Sequence, residues 1–431
     1  MFSAFQTFGK LGAIGKATSA ASWSPLALWP GGIATPGMWI SPRDLTSQWA
    51  DYTGTTPVVT PGTVADSANP VGLALDIRAG ATVLTDPGNH MLQSTSAARP
   101  LMSARVNLLT YTEEFSNAVW ATYLSAAVTG SNVALAPDGT VTADAIAMSG
   151  DPAAQIYQSP AMTVGQRTFS VYAKRNTTSN QTFRLKITTA SGVAEYSPDL
   201  TATADWQRFE LSAAITENNS GNVAISADSL GSSTELLVWG AQFELGTTAT
   251  DYQSVPGDGS TYATDFPIFQ KYDGVDDGMA MAVFPAGTLI DGMDCMIPVR
   301  RDSAAACVAG IYNGIADATK FFGMAESASG SGCVGSGAGT PTVWVDGVQL
   351  SGGTAVTRGT LHTALTVGDW HILEFRGLDL STWTAAGFGL YTSYVFPGAR
   401  GDIMLYPSTD STADKDAARQ YLADYYGVTL P

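Results

Sequence analysis

Apolar and polar positions alternate in short runs along much of the chain. In 169–174, Phe169, Val171 and Ala173 oppose Ser170, Tyr172 and Lys174, the period-two pattern of a half-buried strand. Similar runs recur at 168–174, 182–188, 206–213, 223–226 and 236–245. Turn-forming clusters such as Pro137-Asp138-Gly139 and Asn218-Asn219-Ser220-Gly221 separate them. Short strands at this spacing predict a β-sandwich over 106–256. A second sandwich is predicted over 262–431, with strands at 279–284, 294–300, 321–325, 342–345, 371–377 and 401–406. There, Asp346-Gly347 joins 343–345 to 348–350 with a strong hairpin signal. One helix ends the chain. Ser411 or Thr412 caps it, Asp414 and Asp416 complement its N-terminal dipole, and Gly427 stops it. Ala418, Tyr421, Leu422 and Tyr425 form its expected apolar face.

The first hundred residues are less regular. Region 23–105 has only short apolar runs among Pro, Gly and Thr, and reads as an irregular β region. In 1–22, Phe2, Phe5, Phe8 and Leu11 recur every three residues, a slanting stripe on a helix. The segment reads either as a loose terminus or as a docking peptide that orders against a neighbour. The expected fold class is therefore all-β: two sandwiches in tandem after an irregular N-terminal region, with a short C-terminal helix.

Composition narrows the setting. Charged residues are only 14% of 431, so Thr, Ser, Asn, Gly and Ala must cover the surface, as in many extracellular β proteins. A net charge of −17 without any basic cluster argues against nucleic acid or an anionic membrane as partner, and suits cationic or neutral ones. No apolar run reaches the length of about 18 residues that a spanning helix needs, so no membrane insertion is expected. Met1 to Ala21 forms no solid secretory core, because Gly9, Lys10, Gly12, Gly15 and Lys16 interrupt it. Cys295, Cys307 and Cys333 match no zinc spacing and read as buried thiols.

Several stretches carry a resemblance. Asn107-Leu108-Leu109-Thr110-Tyr111-Thr112-Glu113-Glu114-Phe115-Ser116-Asn117 with Trp120 resembles the opening of a phage carbohydrate-binding-like jelly-roll module. Pro137-Asp138-Gly139-Thr140, Ala143-Asp144, 169–174 and Trp206-Gln207-Arg208-Phe209 follow in the same order, and 239–246 with Ala249-Thr250 and Tyr252 closes the module. Region 262–431 resembles a concanavalin A-like lectin/glucanase (LamG-like) sandwich through 272–277, 343–347, Trp370-His371 and the terminal helix. Region 23–105 resembles the part upstream of such modules in phage tail and virion proteins. The resemblance implies a bacteriophage virion protein in which the N-terminal region contacts other virion proteins and the sandwiches contact host-surface glycans. It also implies a homo-oligomer, with a trimer suggested by the fibre likeness alone. A tail fibre, spike or tail-tip adhesin, a head decoration protein and, less favoured, a glycan-degrading enzyme all fit it.

The residues argue against catalysis. A glycosidase needs two carboxylates flanking the bond. The Glu-x-Asp-x-x-Glu strand of lectin-like glucanases is absent, and Glu374 and Asp379 are five apart, on opposite faces of a strand. No Gly-x-Ser-x-Gly turn accompanies His90, His362 or His371, and no phosphate-binding loop occurs. Asp273, Asp276 and Asp277 could hold calcium, but a solvated start of a strand is preferred, so no cofactor is expected. Arg400-Gly401-Asp402 spells an adhesion tripeptide that chance and a turn explain. Trp120, Trp206, Trp239 and Trp344 are expected in cores. For gripping sugar, aromatic faces and planar amides in loops are needed; the candidates are Tyr312 with Asn313, Trp383, and Tyr391 with Tyr394.

Overall fold

The structure, a computed structural model, describes residues 23–431 except 81–82, 87, 190, 282–288, 314–316, 351–354, 392–393 and 409–410. The docking stripe Phe2, Phe5, Phe8 and Leu11 lies outside the described residues.

The alternating runs of the middle region become strands of a β-sandwich. One sheet orders Gln207–Ile215, Gly165–Arg175, Thr234–Leu245, Ala143–Met148 and Ala127–Ala134. The facing sheet orders Ala194–Tyr196, Gln181–Thr188, Asn222–Ala227, Gln155–Gln158 and Ala121–Tyr123, with Leu200–Ala202 also on Gln181–Thr188. Alternation does the sorting. Phe183, Leu185 and Ile187 point into the core, while Thr182, Arg184 and Lys186 between them stay half-buried outside. Phe169, Val171 and Phe243 meet them from the facing sheet, and Ile225 from the adjacent strand. Each such aromatic or branched side chain contributes about 1.5–3 kcal/mol by leaving water.

The motif runs that open and close this module are bonded to each other, which explains why they occur together. The Asn107 side chain donates to the carbonyls of Ala241 and Gln253 and accepts from the Leu109 and Phe243 amides. Glu113 accepts from the Tyr252 and Ser254 hydroxyls at 3.0 and 2.7 Å.

The second sandwich is discontinuous in sequence. Its large sheet runs Val348–Gln349, Thr342–Val345, Trp370–Asp379, Asp291–Arg301, Pro397–Arg400, Phe269–Asp273 and Leu101–Ser103; Ile403–Pro407 pairs with both Asp291–Arg301 and Met38–Ile40. A second sheet orders Gln48–Trp49, Leu73–Ala74, Met91–Leu92, Met279–Met281 and Ala386–Phe388. The expectation of a region set apart over 23–105 is thus corrected. Its strands are irregular and short, yet they complete both sheets of the C-terminal sandwich, and Met38, Ile40, Val71, Met91 and Met102 share its core. Two-residue strands carry no periodic signal, and their partners lie up to hundreds of residues away. Because Leu101–Ser103 and Phe269–Asp273 are paired neighbours, the middle sandwich is an insertion between adjacent strands of its host.

Gln253 crosses the two connections. Its side-chain oxygen accepts from the Val106 and Asn107 amides at 2.8 and 3.1 Å, and its amide donates to the Ala104 and Ala263 carbonyls at 2.7 and 3.1 Å.

The Asp346-Gly347 hairpin forms as expected: both residues have positive φ, 52° and 81°, which two-residue turns of this hand require. The terminal helix spans Thr412–Tyr426, with Ser411 accepting from the Asp414 amide and Gly427 left-handed at its end. Its buried face is Ala418, Leu422, Ala423 and Tyr426 against Met296, Ile372, Met404 and Tyr406. Tyr421 and Tyr425, expected on that face, are instead half-buried beside it, with the Arg43 guanidinium 4.2 and 4.3 Å from their ring centres. Trp29 and Trp39 stack at 5.9 Å within the same cluster. Among the described residues no helix is long and apolar enough to cross a membrane.

Candidate glycan-contact site

The outer face of the six-stranded sheet of the inserted sandwich is assembled by register. One row across it reads Tyr196, Lys186, Ala224, Tyr157, Ala121; the next reads Arg184, Ser226, Gln155, Tyr123. Tyr123 and Tyr196 are exposed and Tyr157 is half-buried, while small Ala224 and Ser226 form a buried floor between them. At the usual spacing of neighbouring strands, Tyr157 and Tyr196 stand roughly 14 Å apart. Polar groups bridge the floor: the Lys186 ammonium donates to Gln155 Oε1 at 3.1 Å. Arg184 and Lys186 lie 4.7 and 5.4 Å from the Tyr196 ring centre. Aromatic faces beside amide, guanidinium and ammonium groups offer stacking for C–H faces and hydrogen bonds for hydroxyls.

Sequence reasoning did not single out this face. Alternation marks Arg184 and Lys186 as outward, but only strand order brings Tyr123, Tyr157 and Tyr196 beside them.

The loop candidates are corrected. Tyr312, Trp383 and Tyr391 are only 3%, 5% and 3% exposed. Tyr312 and Tyr391 build a small satellite core with Val308, Phe321 and Met324. The Tyr391 hydroxyl donates to the Asp317 carbonyl, and the Trp383 indole to that of Gly337. Asn313 Oδ1 accepts from the Thr384 and Ala385 amides. Tyr394 is half-buried, its hydroxyl accepting from Arg358 at 3.4 Å. Long loops fold over their own apolar residues, so loop aromatics are spent on packing. Conversely, Trp206 and Trp344, expected inside, are half-buried on outer faces under Lys174 and Arg376. Trp120 and Trp239 are buried.

Several polar groups of the host sandwich are engaged in structural contacts, while the Asp379 carboxylate, among the described residues, accepts only from Ser381. Glu374 is held by Arg376 and Arg419, and Asp402 by Arg43. Arg400 and Asp402 of the adhesion-like tripeptide are fully buried. The three cysteines are buried free thiols, and burial pushes Cys307 up to about 11 and Cys333 up to about 12. His90 accepts from the Asp76 amide, and a His362 ring nitrogen meets the Ala304 carbonyl. His371 sits between Asp346 (2.7 Å) and the Thr366 hydroxyl (2.8 Å), the order of a nucleophile–base–acid chain. Asp369 also lies 2.8 Å from that hydroxyl, and Asp346 accepts from the Ile372 amide, so these bonds clamp the Asp346-Gly347 hairpin to its neighbouring strand. Asp273, Asp276 and Asp277 bring oxygens within 4.8 Å of one another.

No family model and no curated protein matches this chain. Among solved structures, it is similar to the CBM22-1 xylan-binding domain from Paenibacillus barcinonensis Xyn10C, at 13% identity over 34% of this chain and 100% of that one, with a TM-score of 0.27. It is also similar to TmCBM61 in complex with β-1,4-galactotriose, at 14% identity over 32% and 98% of the two chains, with a TM-score of 0.25. A third is the enzymatically active domain of bacteriophage CBA120 tailspike protein 4, at 13% identity over 33% and 22%, with a TM-score of 0.25.

Proposed function

We propose that this chain is a non-catalytic glycan-binding protein of a bacteriophage particle, which attaches to host-surface sugars through the outer sheet face of its inserted sandwich. The observation that carries the binding reading is the pair of cross-strand rows that set Tyr123, Tyr157 and Tyr196 around a floor of Ala224 and Ser226. The particle setting rests on the motif runs that resemble phage modules, and an adhesin of this kind would assemble as a homo-oligomer matching its attachment site. Of the carboxylates weighed for cutting, Glu374 is engaged in ion pairs and is not free to act with Asp379, which favours binding over cutting.

The test is a glycan array of host-type polysaccharides with the full chain and with Tyr123→Ala/Tyr157→Ala. The wild type is expected to bind at least one polysaccharide, and the double variant to bind it about tenfold or more weakly, the loss of two stacking contacts. Equal binding by both, or none by either, overturns the assignment. Release of reducing ends from the bound polysaccharide would overturn the non-catalytic part alone.

A further inference from the structure

Where the two sandwiches meet, a cleft of about 510 Å³ opens between them. Tyr172 and Tyr252 of the inserted sandwich form one wall, and Phe269 and Trp370 of the host form the other. The rings brace each other: Tyr172 and Tyr252 lie 6.4 Å apart edge to face, and Phe269 and Trp370 lie 5.7 Å apart. Neither sandwich alone makes the cleft, and the Gln253 crossing of the two connections holds the walls in place.

Its charge is lopsided. Asp251, Asp265 and Asp424 line it and are exposed, and among the described residues none of them takes part in an ion pair. Asp424 accepts one neutral hydrogen bond, from Gln420 at 2.6 Å. The cation of the cleft, Arg300, is committed to Asp302 at 3.1 Å and lies against the Phe269 and Trp370 rings. Glu244, deeper in, is met by Gln242 and Thr250; burial raises its carboxyl above the usual range, and these hydrogen bonds and nearby Arg208 oppose the rise. The three rim aspartates are therefore uncompensated beside the half-buried rings of Tyr172, Tyr252 and Trp370, with Phe269 buried in the wall. An occupant needs apolar ring faces for the walls and positive charge for the rim; an acidic sugar would meet repulsion both there and from a chain of net charge −17.

We propose that this cleft binds a saccharide bearing protonated amines, that is, an amino-sugar oligomer without N-acetyl groups. This site is separate from the sheet face and does not depend on it. Calorimetry on the full chain tests it with three probes: a glucosamine tetramer, its N-acetylated counterpart, and spermine, which has the charge but no rings. The glucosamine tetramer is expected to bind, and to bind more tightly than either other probe. Asp265→Asn/Asp424→Asn, two isosteric changes at exposed positions, is expected to weaken it about fivefold or more. Raising salt to about 0.5 M should weaken it similarly. Tyr123→Ala/Tyr157→Ala should leave it unchanged, so loss of one site is told apart from loss of the other. The proposal is overturned if the tetramer does not bind, if either other probe binds as tightly, if the double aspartate variant binds as the wild type does, or if the tyrosine variant abolishes binding.

Discussion

The inserted sandwich satisfies its buried charges with neutral groups, whereas the host sandwich pairs most of its buried carboxylates with opposite charges and leaves Arg301 and Arg400 to neutral acceptors. In the inserted unit, buried Asp144 accepts from the Ser116 and Asn132 amides, Glu244 from Gln242 and Thr250, and Arg167 donates to Thr163 and the Gln166 carbonyl. In the host, Arg43 pairs with Asp402 across 359 residues of sequence, Lys415 with Asp294, Arg419 with Glu374 and Arg78 with Asp76. The strands explain the difference. The inserted unit has strands of up to 12 residues whose alternation fills one core. The host relies in part on two- and three-residue strands from 38–103, which bury little by themselves. Its ion pairs tie the N-terminal region and the terminal helix to the sheet, giving those pieces one position.

The largest test of this contrast is Glu374→Ala. It takes from Arg419 and Arg376 the buried carboxylate they share and leaves Arg419 only the exposed Asp416, a loss of about 3 kcal/mol for a broken buried pair. Denaturant unfolding followed by both near- and far-ultraviolet circular dichroism should show the host transition moving to lower denaturant and the inserted transition staying put. Equal movement of both would mean that the two units unfold as one and that the contrast has no energetic content.

Gln253→Ala sharpens the comparison at the junction. It strips the Val106 and Asn107 amides and the Ala104 and Ala263 carbonyls of their shared partner. Water can reach some of these groups, so a cost of about 1–3 kcal/mol is expected. The Val106 and Asn107 amides should lose protection from hydrogen exchange, while Leu185 and Ile187, in the inserted core, keep theirs. Unchanged exchange at 106–107 would show that the crossing does not couple the units.

The same contrast decides what was legible in the sequence. Strand-like runs located five strands of the inserted sandwich, because stretches such as 182–188 and 236–245 are long enough to show a pattern, but not Ala121–Tyr123, Ala127–Ala134, Ala143–Met148, Gln155–Gln158, Ala194–Tyr196 or Leu200–Ala202. The Asp346-Gly347 turn and the capped terminal helix were legible for the same local reason. The merging of 38–103 into the host was not, since Gln48–Trp49 or Leu73–Ala74 spell nothing by themselves and pairing depends on distant partners. The candidate site failed in the same way. Tyr312 and Trp383 looked available because they sit in loops, but burial is a property of what folds over them. Tyr123, Tyr157 and Tyr196 looked unrelated because cross-strand register alone makes them neighbours.

The smallest expected effect concerns the host carboxylate that breaks the pairing rule. Asp277 is buried beside Asp273 and Asp276, and among the described residues no cation pairs with it. Burial pushes its carboxyl up to about 7, the two neighbouring carboxylates adding to the rise while the Asp273 amide opposes it. A group whose folded pKa lies above its unfolded value of 3.8 stabilises the fold in its protonated form. That contribution is complete below about pH 4 and fades as the pH climbs through about 7. Asp277→Asn keeps an oxygen for the Asp273 amide, which now donates to Asp277 at 2.9 Å, and carries no charge. The variant should match the wild type in thermal unfolding at pH 4 and melt a few degrees higher at pH 8. A variant less stable than wild type at pH 8, with the gap widening in millimolar calcium, would instead make the three aspartates a metal site and restore the pattern of paired charges in the host.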